Sequence, residues 1–176
     1  MEQNGPDASL RELFRQAKQQ QTELDNLDPR SLQHKEALQS AISILQRCRQ
    51  LVGQNAMFST NEDLEDLTTP DIQYLGVEYI LAELLLRSYG DDRQKSLNEA
   101  SDMLERFLTR LDHYDMLSLN DRKLFERYRE DKESFTLASA GNAEERRKTK
   151  IARFQEEKTL KNKLQASGSP LFRILC

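Results

Sequence analysis

A chain of 176 residues is long enough for one domain that buries about 70% of its unfolded surface. Charged residues make up 32% against 37% hydrophobic, with no Trp, 6 Gly and 4 Pro, a breaker-poor composition that favours helix throughout. A net charge of −4 argues against a general nucleic-acid binder, and two cysteines without a CxxC or Cys/His cluster fit a reducing, cytosolic or nuclear setting.

Residues 1–8 are polar and are expected to be disordered. They lack the basic start and apolar core of a signal peptide. Ser9 caps a first helix over 9–25, with Glu12 placed for a capping box and Leu10, Leu13, Phe14, Ala17 and Leu24 at helical spacing. Pro29 makes 26–30 a turn. A second helix then runs over 29–52 with the stripe Leu38, Ala41, Ile42, Leu45, Cys48 and Val52, and Gly53 ends it. So short a turn makes the two helices antiparallel neighbours. Cys48 lies on the apolar stripe and reads as a buried thiol used as a small hydrophobe. Residues 57–67 interleave acids with Leu64 and Leu67, the pattern of a solvated connection with a helical turn.

The stretch 69–87 is the one the others pack around. Thr69 is the expected cap, Pro70 suits the first helical position and Asp71 the positive end of the dipole. Ile72, Leu75, Tyr79, Ile80, Ala82, Leu84, Leu85 and Leu86 then cover most of the circumference, which marks a buried helix. Glu78 and Glu83 interrupt it and exclude a membrane span.

After a break at 88–92, a fourth helix runs over 93–116 on Leu97, Ala100, Met103, Leu104, Phe107, Leu108 and Leu111. Ser118 caps a shorter fifth, with Leu119, Leu124, Phe125 and Tyr128 facing inward, and 138–142 reads as a loop. The sixth helix differs in kind. Residues 143–164 carry eight basic and four acidic side chains, +4 in all, so the rest of the chain carries −8. Arg147, Lys150, Ile151, Phe154 and Lys158 share one stripe, too charged to be pure core. Basic runs are usually solvated faces, and that is the plain reading of this one. A weak contact with anionic lipid is the other option that the residues permit. Packing on the bundle is the favoured role for Ile151 and Phe154.

An enzyme is not expected. His34 and His113 are single and sit in charged settings, and the chain has no Gly-rich phosphate loop, HExxH pair or nucleophile elbow. No cofactor or metal is implied. Cys176 is the last residue of the sequence rather than the fourth from the end, so a prenylation box is not expected.

Two stretches, Phe58-Ser-Thr-Asn-Glu-Asp-Leu-Glu-Asp-Leu and Arg147-Lys-Thr-Lys-Ile-Ala-Arg-Phe-Gln-Glu-Glu-Lys, resemble the TAP-forty-two-like, or alpha-four, family of type 2A phosphatase regulators. Asp112-His-Tyr-Asp-Met-Leu and Phe125-Glu-Arg-Tyr agree in place and order, so the likeness covers about 10–164. It implies an all-α fold of about six helices in stacked antiparallel hairpins, similar to tetratricopeptide repeats. It also implies a non-catalytic regulator, linked to TOR signalling, that stabilises or sequesters catalytic subunits of type 2A, 4 and 6 phosphatases. The matching contact residues are Arg147 and Lys150, with Phe154 and Lys158 beside them. The expected organisation is a helical phosphatase-binding domain over 9–166, shortened relative to the family, and an atypical tail over 167–176. A cytoplasmic and also nuclear monomer, with no nucleic-acid or membrane partner, completes the expectation. The alternative is a helical adaptor for another acidic protein.

Overall fold

Side-chain caps set where the helices begin. Ser9, Ser31, Asp92 and Ser118 each accept a hydrogen bond from the backbone N–H three residues on, satisfying donors that a helix start leaves open. In the computed structural model the described residues are 8–88, 92–136 and 143–166. The expected disorder of 1–7, the tail over 167–176, the loop at 138–142 and the centre of the break at 88–92 lie outside them.

The helices are α1 (Leu10–Leu24), α2 (Leu32–Gln54), the single turn α3 (Thr69–Ile72), α4 (Val77–Arg87), α5 (Arg93–His113), α6 (Leu119–Glu130) and α7 (Ala143–Ala166). Taking α3 and α4 as one interrupted helix gives the six that the sequence predicts. Among the described residues there is no strand. The chain divides into two units, Met1–Asp115 and Met116–Cys176.

In the first unit α1 packs on α2, α2 on α4, and α4 on α5, so two helical hairpins stack with α4 inside. Seven of the eleven residues of α4 are buried, which makes it the core helix. Around it lie Phe14, Ala17 and Leu24 of α1, the whole predicted stripe of α2, and Ala100 and Met103 of α5. The Phe14 and Tyr74 rings meet edge to face at 5.2 Å. Cys48 is fully buried, and burial pushes its thiol up to about 11, as fits a packing role. Arg87 bonds Asp25 at 2.9 Å, and Arg93 donates to the carbonyls of Ser88 and Leu85 at the end of α4.

Four details depart from the sequence reading. The stretch 69–87 is not continuous: Thr68, not Thr69, is its N-cap, and Gln73–Gly76 tightens to a 3₁₀ turn. The Gln73 amide donates to the Pro70 carbonyl at 2.7 Å, competing with the backbone for that acceptor, and Gly76 follows. The second helix starts at Leu32, after Pro29, and runs through Gly53. Its left-handed residue is Ala56, φ 46°, where the Met57 N–H returns to the Val52 carbonyl. The fourth helix stops at His113, with Asp115 at φ 53°. Leu119, predicted to face inward, is 77% exposed at the first turn of α6, and Leu86 and Leu97 are exposed as well.

The acidic connection is the solvated link with a helical turn that its pattern predicts, the turn being Leu64–Asp66. It is pinned to the end of α5. The His113 ring nitrogen bonds the Glu62 carbonyl at 3.0 Å, and the Tyr114 hydroxyl donates to the Ser59 carbonyl at 3.4 Å.

In the second unit, Phe125 stacks with Tyr128 at 6.2 Å, and Tyr128 meets Phe135 edge-on at 5.5 Å. Arg153 of α7 reaches Asp121 of α6 at 4.0 Å.

Candidate functional site

The basic stripe of the last helix is well formed. At 100° per residue, Arg147, Lys150, Ile151, Phe154 and Lys158 fall within an arc of about 100°, on a 24-residue helix about 36 Å long. All five side chains are exposed. Phe154 is 66% accessible and Ile151 is exposed too, so neither takes the packing role the sequence favours for them. Thr149 is the one half-buried side chain of α7 among the described residues; those of Glu145, Leu164, Gln165 and Ala166 lie outside them.

Ion pairing divides the cations of α7. Lys161 bonds Glu157 one turn back at 2.8 Å, and Arg153 faces Asp121. Among the described residues neither Arg147 nor Lys150 is within ion-pair distance of a carboxylate. The two cations and the ring are exposed together on this face. An anionic protein surface would meet charge and apolar area on the same helix face.

A second polar cluster, in the first unit, escapes the sequence reading altogether. Glu78, taken from the sequence as a mere interruption of α4, has a side chain only 7% exposed, and three arginines converge on it. Arg106 Nε lies 3.0 Å and Arg49 Nε 3.3 Å from Oε1, and Arg110 Nη1 lies 3.4 Å from Oε2. The Arg110 guanidinium also covers the Phe58 ring at 5.2 Å. The available signal was an acid inside an otherwise apolar run, because a buried carboxylate demands a cation. Which cations supply it depends on how α2, α4 and α5 pack. Glu83, the other acid of the run, accepts a 2.8 Å hydrogen bond from Tyr79 one turn earlier.

The two histidines form no catalytic pair. His34 is half-buried near the start of α2, and His113 lies 4.9 Å from the Tyr114 ring. Among the described residues there is no group of three or more His, Cys, Asp or Glu placed to hold a metal ion, and no helix long and apolar enough to cross a membrane.

Comparison with known proteins places this architecture. The PP2A regulatory subunit TAP46 of Oryza sativa subsp. japonica is 29% identical over 163 residues, covering 93% of this chain and 36% of that protein. The type 2A phosphatase-associated protein 42 of Saccharomyces cerevisiae is 32% identical over 130 residues, covering 62% of this chain and 35% of that protein. The chain thus spans about a third of the length of these relatives. A solved structure described as that of the Tap42 alpha4 subunit superposes with a TM-score of 0.67 at 28% identity, covering 90% of this chain and 76% of that one. The sequence profile of the TAP42-like family matches residues 10–169, which include every helix described above. By that match and that fold, the chain belongs to the TAP42-like family.

Proposed function

We propose that this chain is a non-catalytic regulatory module that binds the catalytic subunit of a type 2A-like serine/threonine phosphatase through α7. Arg147 and Lys150 meet carboxylates of the partner, Phe154 and Ile151 supply apolar contact, and Lys158 extends the charged edge. The observation that carries the reading is the exposure of two adjacent cations that make no ion pair among the described residues, one turn from an exposed Phe. The names of the relatives point to the phosphatase; the helix surface points to how it is held. In this reading the module acts as a monomer in the cytoplasm and nucleus. It engages the catalytic subunits of type 2A, 4 and 6 phosphatases, and it stabilises or sequesters them under TOR-dependent control.

The energetics define the test. A charge pair buried and hydrogen-bonded at an interface costs about 2–5 kcal/mol when one partner is removed, whereas an exposed pair is worth about 0–1 kcal/mol. Arg147→Glu with Lys150→Glu is expected to weaken binding to purified catalytic subunit by about thirty-fold or more, with helical circular dichroism unchanged. Undiminished binding by the folded variant defeats the assignment of the site. Capture of a different acidic protein, with no phosphatase bound, returns the adaptor reading.

A further inference from the structure

Two helices bring an excess of positive charge to one carboxylate of a third in the first unit. Arg49 comes from α2, and Arg106 and Arg110 from consecutive turns of one face of α5, all meeting the single carboxylate of Glu78 on α4. One carboxylate balances one guanidinium, so the cluster retains a charge of about +2. Arg49 and Arg106 face Glu78 through Nε, and among the described residues no acceptor is bonded to their terminal amino groups. Their side chains are 43% and 45% exposed while that of Glu78 is 7%, so the carboxylate lies beneath and the guanidiniums reach solvent. Arg110 is held more firmly, between Glu78 and the face of Phe58.

Beside these arginines opens a cleft of about 440 Å³, walled on its apolar side by Val52, Phe58 and Tyr74. Phe58 is fixed there because its loop is tied to the end of α5 through Ser59 and Glu62. The cleft therefore offers two kinds of contact together: guanidinium forks, which fit an oxyanion in a bidentate manner, and an apolar wall.

We propose that this cleft binds a phosphate monoester carried on an apolar or aromatic stem. Arg49 and Arg106 grip the phosphate, Arg110 adds charge from the Phe58 side, and the stem lies against Val52, Phe58 and Tyr74. A phosphate monoester carries about −1.5 to −2 at neutral pH and so balances what Glu78 leaves over; a carboxylate neutralises half of it. The role of Glu78 is positional: its carboxylate gathers three mutually repelling guanidiniums into one grip. Two sources would supply such an ester, a phosphorylated side chain of a protein and a small free molecule, and the test separates them. This inference does not depend on α7 or on the phosphatase reading.

The test is a titration of the full chain, followed by backbone amide NMR, with phenyl phosphate, inorganic phosphate, benzoate, and a nonapeptide with a central phosphotyrosine beside its unphosphorylated form. Phenyl phosphate is expected to saturate and to shift the amides around Arg49, Tyr74, Arg106 and Arg110, with benzoate weaker by about ten-fold or more. Arg49→Gln with Arg106→Gln should weaken phenyl phosphate by about ten-fold or more, and Arg147→Glu with Lys150→Glu should leave it unchanged. Tighter binding of the phosphopeptide than of phenyl phosphate supports the site and identifies a protein source; equal or weaker binding supports the site for a small ester. Inorganic phosphate binding as well as phenyl phosphate overturns the role of the apolar wall. The proposal fails if wild-type protein shows no saturable shifts, if benzoate equals phenyl phosphate, or if the loss follows α7 rather than the cleft. Because the benzoate comparison uses wild-type protein, it decides the matter even if the arginine variant does not fold.

Discussion

Arginine serves opposite ends in the two units. On α2 and α5 three arginines are drawn to Glu78, a carboxylate almost withdrawn from water, and they help to order the helices that carry them. On α7 Arg147 stands exposed beside Lys150, with no ion pair among the described residues. The difference lies in the carboxylate, not in the cation. Taking Glu78 out of water carries a desolvation penalty that only paired charges offset, so the α4 cluster is bound up with stability. Arg147 and Lys150 on α7 remain exposed to water, and cations so placed cost the fold almost nothing.

Truncation of the core should separate the two regions most clearly. Leu81 is fully buried on α4, and Leu81→Ala is expected to lower unfolding free energy by about 2–5 kcal/mol in urea titration. Phe154→Ala on α7, although a larger truncation, should change it by less than about 0.5 kcal/mol because its ring is already in water. A large loss from Phe154→Ala would erase the contrast. Next in size is Glu78→Ala, which leaves three arginines without their carboxylate. The expected cost is about 3 kcal/mol, at the low end for a broken buried pair because the guanidiniums are part-exposed. Its loss of stability should exceed that of the Arg147→Glu, Lys150→Glu variant in the same titration.

A smaller effect lies at the end of α2. Ala56 occupies a left-handed conformation that Gly adopts without strain, so Ala56→Gly should raise stability by about 0.5–1 kcal/mol despite removing a methyl group. The subtlest concerns Lys18 on α1, whose ammonium sits 4.5 Å above the Phe14 ring. Burial pushes it down to about 8 from 10.5, while the ring face beneath it favours the charged form. Between those values the unfolded chain binds more protons than the folded one. Lys18 therefore contributes stability that grows with pH across that window, against the opposite contribution of the raised Cys48 thiol, and Lys18→Met, which keeps the thiol, should lose that growth relative to wild type. Denaturation midpoints of the two proteins at pH 7.5 and pH 10 check this; equal slopes would put Lys18 in water like the cations of α7.

Local signals explain what could be read from the chain. The Ser9 and Ser118 caps, the full stripe of α2 and the charged stripe of α7 are set by spacing and by single residues, so the sequence carries them. The 3₁₀ turn at Gln73–Gly76 is less visible because it depends on which donor wins the Pro70 carbonyl, a contest between a side chain and a backbone that both favour helix. Leu119 fails for another reason: at the first turn of α6 a place on the apolar stripe does not ensure a neighbour to cover it. Of the two clusters, the ridge on α7 is legible because its residues are near in sequence. The arginine cluster is not, because Arg49, Glu78 and Arg106 come together only when α2, α4 and α5 have packed.

The thiol inside α2 gives the protein a clock. With its proton held up to about pH 11 and no water at its surface, Cys48 reacts with an alkylating reagent only during moments when the hairpins part. Its labelling rate thus counts those openings, and a bound partner that slows the count must be clamping the first unit shut.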